Sequence, residues 1–211
     1  RNGKLIIPFL YDDAGYFHEG RSNVKKDGKY GFIDRNGKLI IPFLYDATGY
    51  FHESRSIVKK DEKYGFIDLY GKEITPCIYN KVETFVEGHA KVMKDGKWGF
   101  VDYDGKEIVV CIYDNIECFK EGRASVDKNG QWGFVDYDGK EIVPCIYNNV
   151  GFFSQSRAKV RKDKKWGFIN LDGNIAIPLI YDYAEDFEEG LAKVGKGQEY
   201  GFIDINGNKT Q

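Results

Sequence analysis

The chain has 211 residues with 31 basic and 33 acidic side chains, a net charge of −2, 16% aromatic residues and one methionine. The charges are dispersed, which excludes the basic stripe of a nucleic-acid binder and the acidic tail of a solvating arm. No apolar run reaches the length of a membrane-spanning helix, and the aromatic-rich composition favours β-structure.

The chain opens in mid-repeat at Arg1-Asn2-Gly3, with no initiator methionine and no signal peptide. An excerpt or a processed form is expected, so missing targeting signals carry little weight. From there one pattern governs everything. An aromatic-Gly-Phe triplet stands at Tyr30-Gly31-Phe32, Tyr64-Gly65-Phe66, Trp98-Gly99-Phe100, Trp132-Gly133-Phe134, Trp166-Gly167-Phe168 and Tyr200-Gly201-Phe202, 34 residues apart each time. A fixed period of this size marks an array of one small structural unit. It predicts a single repeat domain divided as 1–34, 35–68, 69–102, 103–136, 137–170 and 171–204, with a tail at 205–211.

The fourth repeat and its continuation show what one unit contains. Residues 123–126 alternate as a strand, Asp127-Lys128-Asn129-Gly130 turns the chain, and 132–136 form a second strand. Asp138-Gly139 turns it again, and 140–144 form a third. Asn-Gly and Asp-Gly are strong hairpin signals because both residues tolerate positive φ. The second turn recurs at Asn2-Gly3, Asn36-Gly37, Asp104-Gly105, Asp172-Gly173 and Asn206-Gly207, with Tyr70-Gly71 as the variant. Each unit is therefore predicted to be a three-stranded antiparallel meander, with no stretch of helical periodicity. The connection after it carries a tyrosine column (Tyr11, Tyr45, Tyr79, Tyr113, Tyr147, Tyr181) and a phenylalanine column (Phe17, Phe51, Phe85, Phe119, Phe153, Phe187). All five prolines share one column, Pro8, Pro42, Pro76, Pro144 and Pro178, where Val110 is the exception. Proline there fits the end of an edge strand.

In the second strand Trp132, Phe134 and Asp136 face one way and Gly133 and Val135 the other. Both faces are apolar, so neighbouring units must stack on each other. The Trp/Tyr and Phe columns are expected to be core, and the glycine between them to admit a neighbouring backbone or ring.

Candidate chemistry is tested against this scaffold. Cys77, Cys111 and Cys145 share a column with Phe9, Phe43 and Leu179, which reads as core packing; no Cys-x-x-Cys spacing supports zinc. Cys118 has no column partner, and the unpaired thiols point to a reducing compartment, the cytoplasm. Asp102-Tyr103-Asp104-Gly105 looks like part of a calcium loop but lacks the distal glutamate, and the same residues satisfy a turn. The columns Asp34, Asp68, Asp102, Asp136, Asp204 and Glu19, Glu53, Glu87, Glu121, Glu189 recur once per unit, which favours acceptance of backbone N–H bonds over acid–base catalysis. His18, His52 and His89 make no metal pair. No enzyme, no metal and no cofactor is expected. Glu-Gly-Arg at Glu19-Gly20-Arg21 and Glu121-Gly122-Arg123 is either an exposed Glu/Arg ladder or a ligand-facing surface, with Arg21, Arg55, Arg123 and Arg157 as the possible partner contacts.

Taken together, Gly-Lys-Trp-Gly-Phe-Val-Asp, then Asp-Gly-Lys, Ile-Val-Pro, Tyr-Asp, Phe and Glu-Gly-Arg-Ala resemble the WG-containing repeat, or KWG repeat, of bacteria. Lys97-Trp98-Gly99-Phe100 and Lys165-Trp166-Gly167-Phe168 match the namesake motif; Gln131 replaces its lysine, and Tyr30, Tyr64 and Tyr200 its tryptophan. The resemblance implies repeats of variable number that mediate interactions, and it brings no catalytic residues. Repeats 1–34 and 35–68 differ at only five positions. Such duplication suits an open β-solenoid. The alternative is a closed six-bladed propeller in which an N-terminal strand at 4–8 pairs with a C-terminal strand at 200–204. The expected function is a non-enzymatic scaffold for a protein partner. The alternative is a carbohydrate or cell-wall binder, which requires an exposed aromatic in every repeat.

Overall fold

A computed structural model describes residues 10–210. The expected strand at 4–8 and the turn at Asn2-Gly3 lie outside the described residues. The fold is all-β: every element among the described residues is a strand, arranged as tandem antiparallel sheets. Residues Arg1–Glu107 and Ile108–Gln211 form two compact units.

In the first unit, β1 (Asp13–Ala14), β2 (Arg21–Lys26), β3 (Lys29–Asp34) and β4 (Leu39–Tyr45) make one sheet in that order. The second sheet is β5 (Ala47–Thr48), β6 (Arg55–Lys60), β7 (Lys63–Asp68) and β8 (Glu73–Tyr79). β9 (Lys81–Val82), β10 (His89–Lys94) and β11 (Lys97–Asp102) follow, and β12 (Glu107–Tyr113) spans the boundary. The second unit continues with β13 (Asn115–Ile116), β14 (Arg123–Lys128), β15 (Gln131–Asp136) and β16 (Glu141–Tyr147). Next come β17 (Asn149–Val150), β18 (Arg157–Lys162), β19 (Lys165–Asn170) and β20 (Ile175–Tyr181). The last sheet has three strands, β21 (Tyr183–Ala184), β22 (Leu191–Lys196) and β23 (Glu199–Asp204).

The expected three-stranded meander is thus incomplete. A two-residue strand from the connection pairs on the open side of each first long strand, as Asn115 and Ile116 do opposite Asp127 and Val126. Two residues are too few to show alternation, so this strand has no periodic signature. The proline column also differs from expectation. The fourth strand runs three residues past Pro144, to Tyr147. Its register shifts opposite Gly133, between the Trp132–Tyr147 and Phe134–Val143 pairs. Proline survives there because it sits in a bulge of an outer strand, where no ladder N–H is required.

The bulge explains the glycine of the aromatic-Gly-Phe triplet. A Cβ on Gly133 would meet the Val143 carbonyl oxygen at 2.3 Å and the Cys145 nitrogen at 2.8 Å. The neighbouring backbone approaches too closely for any side chain, as the sequence predicted.

The core lies between consecutive sheets. Phe134, Val143 and Tyr147 of one sheet close on Phe153, Ala158, Val160 and Ile169 of the next. Phe134 and Phe153 pack edge to face with centroids 5.0 Å apart; Phe32 with Phe51 and Phe66 with Phe85 repeat the arrangement at 4.9 and 4.8 Å. Each sheet therefore presents its Phe column forward and its Ala/Val/Ile residues backward. Burying one such phenylalanine is worth about 2 kcal/mol, and two meet in each of these layers. The Trp/Tyr column is less buried than expected: Trp98, Trp132 and Trp166 are half-buried. Trp132 sits at the far end of the bulge, and cationic side chains cover this column instead, as Lys159 and Arg161 do over Trp166, each 5.7 Å from the ring. Phe17, at the start of its column, is exposed.

Candidate interaction surface

The polar columns are absorbed by the scaffold. Asp136 Oδ1 accepts hydrogen bonds from the backbone N–H groups of Asp138 and Lys140 and holds the Asp-Gly turn; Asp34, Asp68, Asp102 and Asp204 do the same in their repeats. The turn's Gly139 has φ 76° and lies against the Ile108 carbonyl of the preceding layer, so it locks one sheet onto another.

Glu-Gly is a two-residue turn with both φ values positive, 49° at Glu121 and 75° at Gly122. The Glu121 carboxylate reaches the same turn of the next sheet and accepts from Gln155 N and Ser156 N at 2.9 and 2.8 Å. Glu53 accepts in the same way from Glu87 N and Gly88 N, and Glu19 from Ser54 N. The arginine that follows spans the same layer. Arg123 Nε donates to the Leu171 carbonyl at 3.1 Å, Arg21 Nε to Leu69 and Arg157 Nε to Ile205. Arg55 donates twice to Tyr103 and lies 3.8 Å from the centre of its ring. Arg21, Arg55, Arg123 and Arg157 are therefore half-buried clamps between neighbouring sheets. Each guanidinium already has carbonyl partners, and the geometry gives these four residues a structural task.

The cysteines make no disulfide among the described residues. Cys77 and Cys145 are half-buried, and burial pushes both thiols above the usual cysteine range. Cys145 Sγ points at the Val126 carbonyl, 3.6 Å away. Burial likewise pushes the Tyr113 hydroxyl up to about 12. Such neutral groups suit packing, not nucleophilic chemistry. Among the described residues no cluster of three metal-ligating side chains forms.

One column that recurs on the exposed surface is apolar. One residue before its terminal tyrosine, the outer strand of each four-stranded sheet carries an exposed aliphatic residue: Leu44, Ile78, Ile112, Ile146 and Ile180, with Leu10 in the same column. These side chains are 36% to 59% exposed. Pro42, Pro76, Val110, Pro144 and Pro178 stand exposed two residues earlier. The result is a Pro-x-aliphatic edge repeated from sheet to sheet. Sequence reasoning missed it. The 34-residue spacing was readable, but strict alternation through the strand hides the bulge that decides which residues face outward.

Exposed aromatics follow no such rule. Tyr16, Tyr50 and Phe152 are exposed, but Thr84, Cys118 and Asp186 fill the same column. Tyr103 and Tyr137 share a column with Arg35, Leu69, Leu171 and Ile205. Among the described residues no aromatic column stays exposed in every repeat.

Comparison with solved structures returns distant matches. A variant of KlHsv2 with loop 6CD replaced by a Gly-Ser linker is 8% identical, with a TM-score of 0.43 over 75% of this chain and 62% of that one. A structure of the eukaryotic initiation factor is 10% identical, with a TM-score of 0.42 over 95% and 64%. PorZ, a surface component of the type-IX secretion system of Porphyromonas gingivalis, is 9% identical, with a TM-score of 0.37 over 98% and 33%. In each case the chain spans less than two thirds of the other protein's length. No curated protein matches in sequence. The model of the WG-containing repeat, by contrast, matches six times in tandem, at 1–30, 30–64, 64–98, 98–132, 132–166 and 166–199. The matches cover nearly the whole chain, which belongs to the WG-containing repeat family.

Proposed function

We propose that this chain is a non-enzymatic scaffold that binds a protein partner along the Pro-x-aliphatic edge of its sheets. The reading rests on the unbroken aliphatic column Leu10, Leu44, Ile78, Ile112, Ile146 and Ile180. These side chains leave the core of their own sheets, yet the column carries only leucine or isoleucine. A repeated array of exposed aliphatic groups offers desolvation to a partner that is itself apolar. Repetition over several sheets multiplies a weak contact into avidity. A carbohydrate binder needs a stacking ring in each repeat, and the broken aromatic columns give that reading less support.

The test is a chain in which Leu44, Ile78, Ile112, Ile146 and Ile180 are all replaced by threonine, which keeps strand propensity. Its thermal melt should match the parent's. Partners captured by the parent from the native source should be lost from the variant. Undiminished capture by a well-folded variant would overturn the proposal.

A further inference from the structure

Four of the five outer strands carry proline at the same place: Pro42 in β4, Pro76 in β8, Pro144 in β16 and Pro178 in β20. β12 carries Val110 there. Its seven residues show the same succession of buried and exposed positions as β8 and β16, so it holds the same bulged conformation. Proline has no N–H, yet the four strands that contain it pair with their inner neighbours. The inner ladder therefore takes no donor from this position, and Val110 has an N–H that its own sheet does not use. β12 is the last strand of its sheet, and among the described residues no strand or bridge lies along its other side. Val110 is 59% and Ile112 43% exposed, and the two side chains share one face of the strand. The open stretch is short, because the Gly139 turn of the next sheet lies against the Ile108 carbonyl. Proline in an outer strand guards the edge against pairing with another chain, and β12 lacks that guard.

We infer that the edge of β12 at Val110, Cys111 and Ile112 pairs with the same edge of a second copy of the chain. The stretch is its own complement. Turned antiparallel about Cys111, Val110 of one copy faces Ile112 of the other, and Ile112 faces Val110. Each of these two pairs exchanges both N–H···O=C bonds, and the four exposed aliphatic side chains meet on one face. Residues 109–113 carry no charge, so no like charges oppose each other across the two-fold axis. The contact joins one patch to its own copy and closes at two chains, because proline denies the same bonding to the other outer strands. It turns on the missing proline, not on the aliphatic column, and shares only Ile112 with the partner surface proposed above.

Val110→Pro tests this by giving β12 the residue that the four other outer strands accept. Sedimentation velocity of the full chain, over a rising concentration series, should show a monomer giving way to a species of two chains and no more. Val110→Pro should weaken that dimer about tenfold or more. The melting temperature of the dilute variant should hold or rise slightly, since proline restricts the unfolded chain. Pro144→Val does the reverse: it frees the matching N–H in β16 and should carry association beyond two chains. A parent that stays monomeric at every concentration overturns the inference, and so does a dimer that survives Val110→Pro. A lower melting temperature for Val110→Pro overturns it as well, because the Val110 N–H would then serve its own sheet. Assembly of Pro144→Val that stops at two chains would show that proline does not guard these edges, with the same consequence.

Discussion

The fourth and sixth sheets carry the same repeat in two environments. Phe134, on β15, is 1% exposed; Phe202, at the matching position of β23, is 50% exposed. The backward faces do not differ in this way. Ala192, Val194 and Ile203 of the last sheet are as buried as Ala158, Val160 and Ile169 of the fifth. A layer therefore gains its backward half from the preceding sheet and its forward half from the fourth strand and the next sheet. Burial at a column position comes from the neighbours, not from the residue that occupies it.

The largest expected contrast is at the phenylalanines. Phe134→Ala should cost about 3–5 kcal/mol and Phe202→Ala less than about 1 kcal/mol in denaturant unfolding. Equal losses would break the comparison. The glycines come next. Gly133→Val forces a side chain into the Val143 carbonyl and should cost on the order of 2–3 kcal/mol, whereas Gly201→Val, where an added Cβ meets nothing within 4 Å, should be nearly neutral. A smaller contrast separates Arg123, clamped to the Leu171 carbonyl, from Leu191 in the same column. Arg123→Ala should cost about 1.5 kcal/mol, against less than about 1 kcal/mol for the partly exposed Leu191→Ala. An Arg123→Ala melt identical to the parent's would return the arginines to the partner surface. The smallest effect lies in the hairpin between β6 and β7. Glu62 holds a φ of 62° where the near-identical first repeat has Gly28 at 80°. Glu62→Gly should stabilise the chain by up to about 1 kcal/mol, since the exposed pair it loses with Lys59 is worth little. A fall in the melting midpoint would show that the pair matters more than the turn.

Much of this was legible beforehand because it is local or periodic. Asn129-Gly130 and Asp138-Gly139 announce their turns through the φ values that they tolerate. The 34-residue spacing marks Phe134 as core and Gly133 as a close approach. The columns of Asp136 and Glu121 read as acceptors of backbone N–H groups, and both are. The misses share one cause. The two-residue strand at Asn115 and Ile116 exists only through pairing with β14. The half-burial of Trp132 and the outward turn of Ile146 follow from a bulge whose partner lies on another strand. Arg123 reads as a surface charge until the Leu171 carbonyl, 48 residues on, is seen beside it.

By itself the sequence determined an all-β array, its period, its hairpins and the residues that fill its layers, because each depends on backbone preferences within a few residues or on identity between copies. Which column is fully buried, which arginine is a clamp and which aliphatic side chain is left in water were decided only in the tertiary structure. Those outcomes depend on what the adjacent sheet brings within van der Waals and hydrogen-bond reach, and residues 19, 35 or 48 positions apart meet there without any local signal.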